Sequence, residues 1–205
     1  MSIIETVDEG EASGLVGELY AEDVETFGYV TEHGKVMAVN PEAARAFEAL
    51  VRAIQPSLGS RNYRLVTLAA ARALRSQPCL LAHGDFARRQ FDDEQVERIA
   101  RDYHDAGLTA AEVAMMDFAT KLSTSSASMT DADAQVLRDH GFTDREIVDI
   151  ALAAGVRNYY SRALSALGVV DAVPPGMPDG LREALLGEPQ APPGGSSSRP
   201  ARSAM

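Results

Sequence analysis

Ala, Leu, Arg and Glu recur at helical spacing along most of this chain, and few segments alternate apolar with polar residues over strand length. That pattern confines the expected fold class to all-α, a single-domain helical bundle. The boundary signals agree with it. Asn40 before Pro41 reads as an N-cap with proline at the first helical position, opening PEAARAFEALVRAI, whose Ala43, Phe47, Leu50, Val51 and Ile54 form one apolar stripe. A second helix is expected from Ser60 through Leu74. Thr109 with Glu112, and Thr143 with Glu146, have capping-box spacing before apolar runs, which predicts helices over 109–123 and 143–167. Thr130 to Asp139 reads as a short helix closed by His140-Gly141, and Asp92 to Ala106 as another closed by Gly107.

Three regions follow from this pass. Residues 1–39 form an N-terminal arm containing an amphipathic stretch, GLVGELYAEDVETFGYV. Residues 40–172 form the helical domain. Residues 173–205 form a Pro/Gly/Ser-rich extension with a short helix-like LREALL, and the part after Gly187 is expected to be disordered. A hydrophobic share of 45% with 24% charged residues can bury a core. With 19 Lys and Arg against 30 Asp and Glu, the net charge is −11 and the cations are scattered, so neither nucleic acid nor an anionic membrane is an expected partner. No run approaches the ~18 apolar residues of a spanning helix, and the acidic opening MSIIETVDEGEASG lacks the character of a signal peptide. A cytoplasmic location is the expectation.

Cys79 is the one cysteine of the chain, which removes an intramolecular disulfide framework and any multi-cysteine metal site. The histidines His33, His83, His104 and His140 are dispersed, and no metal or other cofactor is expected. The stretch RLVTLAAARALRSQPCLLAHGDFARR, residues 64–89, carries the chemistry. Ser76-Gln77-Pro78 reads as a cap with an early-turn proline, which places Cys79 in the first turn of a new helix, where unpaired N–H groups and the helix dipole favour a thiolate. Arg72 or Arg75 adds positive charge nearby, so a thiol more acidic than the usual ~8.5 is expected. His83, four residues on, falls on the same face within reach of a thiol–imidazole contact, and Ser76 precedes the thiol on that side. On residue type alone, a cysteine flanked by Leu80, Leu81 and Ala82 is more often a small buried hydrophobe, and His83 a packing residue.

The run Ser76-Gln77-Pro78-Cys79-Leu80-Leu81-Ala82-His83 resembles the Cys-x-x-Cys-x-x-x-His signature of the alkylhydroperoxidase D and carboxymuconolactone decarboxylase superfamily. GELY, NPEAARAFEAL and FTDREIVDIALAAGVRNYYSRALSALGV add to the likeness, which covers roughly residues 5 to 172. The resemblance implies an all-helical protein that assembles as a trimer or hexamer. In the family's peroxidases the second motif cysteine attacks the hydroperoxide, the first resolves the sulfenic acid, and a glutamate and a histidine relay protons. Cys79 and His83 match two of these positions. Ser76 stands where the first cysteine would be, and Arg64, twelve residues earlier, stands where the glutamate would be.

An internal dithiol cycle is therefore impossible, and the implied activity is a one-cysteine peroxidase reduced by an external thiol or a redoxin. In it His83 orients or deprotonates the thiol, Ser76 hydrogen-bonds the sulfenate or peroxide, and Arg64 binds anionic charge. Two alternatives stand beside it. One is cofactor-free proton transfer on a small carboxylated or enolisable substrate, with His83 as base and Arg64 or Arg157 as carboxylate clamp. The other is a non-catalytic oligomeric scaffold, favoured by loss of both the cysteine and the glutamate. The Asp102-Tyr103-His104 cluster reads as surface hydrogen bonding, and Asn158, Tyr159 and Tyr160 as core or subunit packing.

Overall fold

The structure, a computed structural model, describes residues 3–187; the Pro/Gly/Ser-rich stretch expected to be disordered lies outside the described residues. Among the described residues nine α-helices follow one another, without a strand. They are α1 (Gly14–Phe27), α2 (Glu32–Met37), α3 (Pro41–Leu74), α4 (Gln77–Ala87), α5 (Asp93–Asp102), α6 (Ala110–Ser125), α7 (Asp131–Asp139), α8 (Asp144–Ala166) and α9 (Asp179–Leu186). The caps form as their residue types require. Asn40 Oδ1 accepts from Ala43 N at 3.0 Å, and Thr109 with Glu112, and Thr143 with Glu146, close full capping boxes.

The two helices expected between Asn40 and Leu74 run on as one kinked element. Gly59 sits inside it at φ 69°, a left-handed conformation that a side chain disfavours, and Pro56 three residues earlier has no N–H for the helical ladder. Beyond the bend, Leu65 through Ala71 are all buried, because α8, α6 and α4 pack around this half of α3. Met115 and Met116 from α6 and Ile150, Ala153 and Ala154 from α8 complete this core. Each fully buried Leu or Ile there contributes about 1.5–3 kcal/mol relative to exposure. The helix expected to reach Ala106 instead ends at Asp102 and tightens into a 3-10 turn over Tyr103–Asp105.

The N-terminal arm lies on the first half of α3 through a smaller cluster of Leu19, Tyr20, Val30, Ala38 and Ala44. Asp23 of α1 accepts from the N–H and hydroxyl of Thr31, and that hydroxyl in turn caps α2 at Gly34 N, so α1 and α2 are fastened to each other. At the other end, α9 packs on α5 and α4 with Leu181 and Leu185 buried. Gly84 of α4 leaves no room for a side chain against Leu185. No helix among the described residues is long and apolar enough to cross a membrane.

Candidate functional site

A sharp turn connects α3 to α4, with Arg75 in the left-handed region at φ 52° and Ser76 at the N-cap. Pro78 occupies the first turn, where a missing N–H costs nothing, and this sets Cys79 in that turn as its spacing predicts. Cys79 is only 2% exposed. Its sulfur meets α8, on which Arg157 and Ser161 stand one turn apart: Arg157 Nη1 donates to Sγ at 3.4 Å and Ser161 Oγ at 3.2 Å. Donors of this kind, one of them cationic, stabilise negative charge on sulfur.

The spacing of Cys79 and His83 puts a thiol–imidazole contact within reach, but no hydrogen bond joins them in the structure. His83 is buried, and its Nδ1 has no partner. Burial, reinforced by Arg157, Arg64 and His33, pushes its pKa well below the ordinary value, so the ring is neutral at neutral pH. Ser76 Oγ does not cap α4 and is buried without a partner, as is Arg157 Nε. Three orphaned polar atoms in the neighbourhood of one sulfur are unusual, because buried polar groups are nearly always hydrogen-bonded. Burial opposes the charge of Arg157, but Cys79, Tyr63 and Tyr160 together outweigh it and raise the guanidinium's pKa above its ordinary value.

Beside this cluster lies a cavity of about 380 Å³, walled by α1 and α2 on one side and by α3, α4 and α8 on the other. His83, Arg157, Arg64, Tyr160 and His33 all border it. Cys79 does not, and Arg157 is the side chain that joins sulfur to cavity. Arg64 is half-buried over the Phe86 ring, 4.5 Å from its centroid, and burial lowers its pKa. Neither Arg64 nor Arg157 is paired with a carboxylate among the described residues, in a chain where acids outnumber bases. Phe47 stacks on Tyr160 at 4.4 Å and closes the apolar side. A larger depression of about 840 Å³ between α3, α5 and α9 holds no thiol and is bordered by surface Arg72, Arg101 and His104.

Of the residues singled out in sequence, Arg64 and His83 meet at the cavity, Cys79 stands behind Arg157, and Ser76 makes no contact with the sulfur by hydrogen bond. Ser161 escaped the sequence reading, since a serine inside a long helix carries no local signal. Asp102, Tyr103 and His104 form a surface network with Asp117, away from the thiol.

No sequence-family profile and no curated protein matches the chain. Solved structures do. A peroxidase-related protein with an alkylhydroperoxidase core from Ralstonia eutropha superposes with a TM-score of 0.76 at 23% identity, covering 90% of this chain and 96% of that one. A peroxidase-related protein from a Silicibacter species gives 0.72 at 30% identity, covering 82% and 91%. The debrominase Bmp8 gives 0.69 at 17% identity, covering 89% and 96%, a likeness of fold alone.

Proposed function

Since the chain belongs to the alkylhydroperoxidase D-like, carboxymuconolactone decarboxylase superfamily, we propose that it reduces hydroperoxides through the single thiol of Cys79, with an external thiol as reductant. One observation carries this reading: two donors from α8, one of them a buried guanidinium, converge on the Cys79 sulfur. The thiolate attacks the distal peroxide oxygen, an S–O bond forms as the O–O bond breaks, and the second oxygen leaves as alkoxide and takes a proton. Sulfur is oxidised to the sulfenic acid by two electrons. An external thiol condenses with the sulfenic acid, releasing water, and a second thiol frees Cys79 from the mixed disulfide. Ser76 cannot replace that reductant, because a hydroxyl forms no disulfide. Neutral His83 serves as a hydrogen-bonding group for the peroxide rather than as an acid, and Arg64 holds anionic charge in the cavity.

The test is intact-mass spectrometry after a stoichiometric alkyl hydroperoxide, with and without a sulfenic-acid trap. Wild type gains the trap mass rapidly and Cys79→Ser does not. Peroxide consumption by Cys79→Ser overturns the reading.

That neither Arg64 nor Arg157 has a carboxylate partner among the described residues favours one second reading, proton transfer on a small carboxylated or enolisable substrate clamped by these arginines, with neutral His83 as base. A debrominase with this fold shows that the fold hosts chemistry on small organic molecules. Here His83→Ala abolishes turnover and Cys79→Ser does not, the reverse of the peroxidase pattern at Cys79.

A further inference from the structure

His33 borders the cavity but has no part in the peroxidase reading, and its surroundings are those of a group built to move a proton. It lies on α2. Its Nδ1 pairs with Asp171 Oδ2, and its backbone N–H donates to Asp171 Oδ1 at 3.0 Å. Asp171 is itself held: its N–H donates to Gln77 Oε1 at 3.1 Å, and its carbonyl accepts from Gln77 Nε2 at 2.9 Å. Gln77 opens α4, two residues before Cys79. Both partners are well sheltered, with the His33 side chain 13% exposed and that of Asp171 8%. The ring is held between Phe27 and Tyr160, with centroids 5.8 and 6.0 Å away. One ring nitrogen is thus committed to a carboxylate. The other, Nε2, makes no hydrogen bond to a described residue and belongs to a ring that borders the same cavity as His83 and Arg157.

An alkoxide leaving a peroxide is a strong base and needs a proton. The other titratable groups that border the cavity are poor donors, Glu22 and Glu48 among them, since both accept from Arg45. Arg64 and Arg157 keep their protons at neutral pH, His83 is held neutral by burial, and burial pushes the Tyr160 hydroxyl well above its ordinary range. Asp23 of α1 accepts from Thr31. Of the two histidines that border the cavity, only His33 is paired with a carboxylate among the described residues, that of Asp171.

Resting on the peroxidase reading, we infer that His33 is the general acid of the reaction, protonating the leaving oxygen of the hydroperoxide, and that Asp171 is its positioning residue. As Cys79 takes the distal oxygen, the Nε2 proton passes to the alkoxide and the alcohol departs. The neutral ring, still donating from Nδ1 to Asp171, is reprotonated from solvent.

The experiment compares two oxidants in single turnover, following sulfenic-acid formation on the full chain. An alkyl hydroperoxide expels a basic alkoxide that needs a proton; peracetic acid expels acetate, which does not. In His33→Gln the rate with alkyl hydroperoxide falls about 100-fold, the lower end of what general acids contribute, while that with peracetic acid falls less than threefold. Asp171→Asn, which can still accept from the His33 backbone N–H, shows the same selectivity in smaller measure. An equal fall with both oxidants, whether from a loosened arm or a misplaced α4, overturns the assignment, as does no fall at all. Failure of wild type to react with either oxidant overturns the peroxidase reading and this inference with it, whereas a reactive wild type with unselective variants overturns the inference alone.

Discussion

A buried cation beside a thiol sets how the residues of this site behave. Arg157 is fixed by its bond to Cys79 and pairs with no carboxylate among the described residues, so its replacement acts on the sulfur directly. Arg157→Gln is expected to slow alkylation of Cys79 at neutral pH roughly tenfold, the consequence of losing about 1.5 kcal/mol of charge-assisted hydrogen bonding. Timed iodoacetamide labelling followed by mass spectrometry checks it. His83 imposes a different dependence. Its folded pKa lies well below the ordinary value near 6.5, so the unfolded chain takes up a proton that the folded chain refuses. Stability is therefore intact above the unfolded value and declines as pH falls below it, by up to about 1.4 kcal/mol per pH unit. His104 on the surface, with its pKa raised chiefly by Asp102, works in the opposite sense. Denaturant unfolding of wild type and His83→Gln between pH 7 and pH 5 isolates the buried ring: the variant loses less stability across that window.

At the scale of elements, the site depends on helices that meet around α4. Before the kink at Gly59, α3 carries the arm on Ala44 and already sends Ile54 and Leu58 into the main core; after it, Leu65 through Ala71 are wholly buried there. The other flank of α4 is braced by α9, whose Leu185 lies against Gly84, one residue beyond His83. Leu181 of α9 is fully buried, and Leu181→Ala is expected to cost about 2–4 kcal/mol, read as a shift in the urea midpoint with an unchanged slope. A shift within about 0.5 kcal/mol, the size of an ordinary surface substitution, contradicts the packing assigned to α9.

For the whole molecule, apolar surface is left over on the outer faces of α3 and α8, where Leu50, Val148, Leu152 and Tyr159 are all exposed. The family resemblance implies a trimer or hexamer, and this ridge is the expected contact between copies, since large contiguous apolar patches are uncommon on monomers. Leu152→Glu is expected to lower the mass seen by light scattering, with helical content unchanged. A wild type that runs as a monomer at all concentrations contradicts this assembly.

The helices could be read locally because caps and periodicity are local: Asn40-Pro41, Thr109 with Glu112 and Thr143 with Glu146 stand where the chain turns into helix. The positions of Cys79 and His83 one turn apart on α4 were legible for the same reason, as was the family likeness carried by their motif. Their partners were not. Arg157 and Ser161 lie 78 and 82 residues from the thiol, and the His33–Asp171 pair spans 138 residues. Spacing along one helix brought His83 to the same face as Cys79, yet packing of α8 against α4 delivered a guanidinium and a hydroxyl to the sulfur instead. Sequence periodicity and caps determined where most helices begin and which of their residues are apolar, though not the continuity of α3 through Ser60 or the end of α5 at Asp102. Only the tertiary packing decided which side chains meet, because contacts between helices depend on crossing geometry that no local pattern encodes.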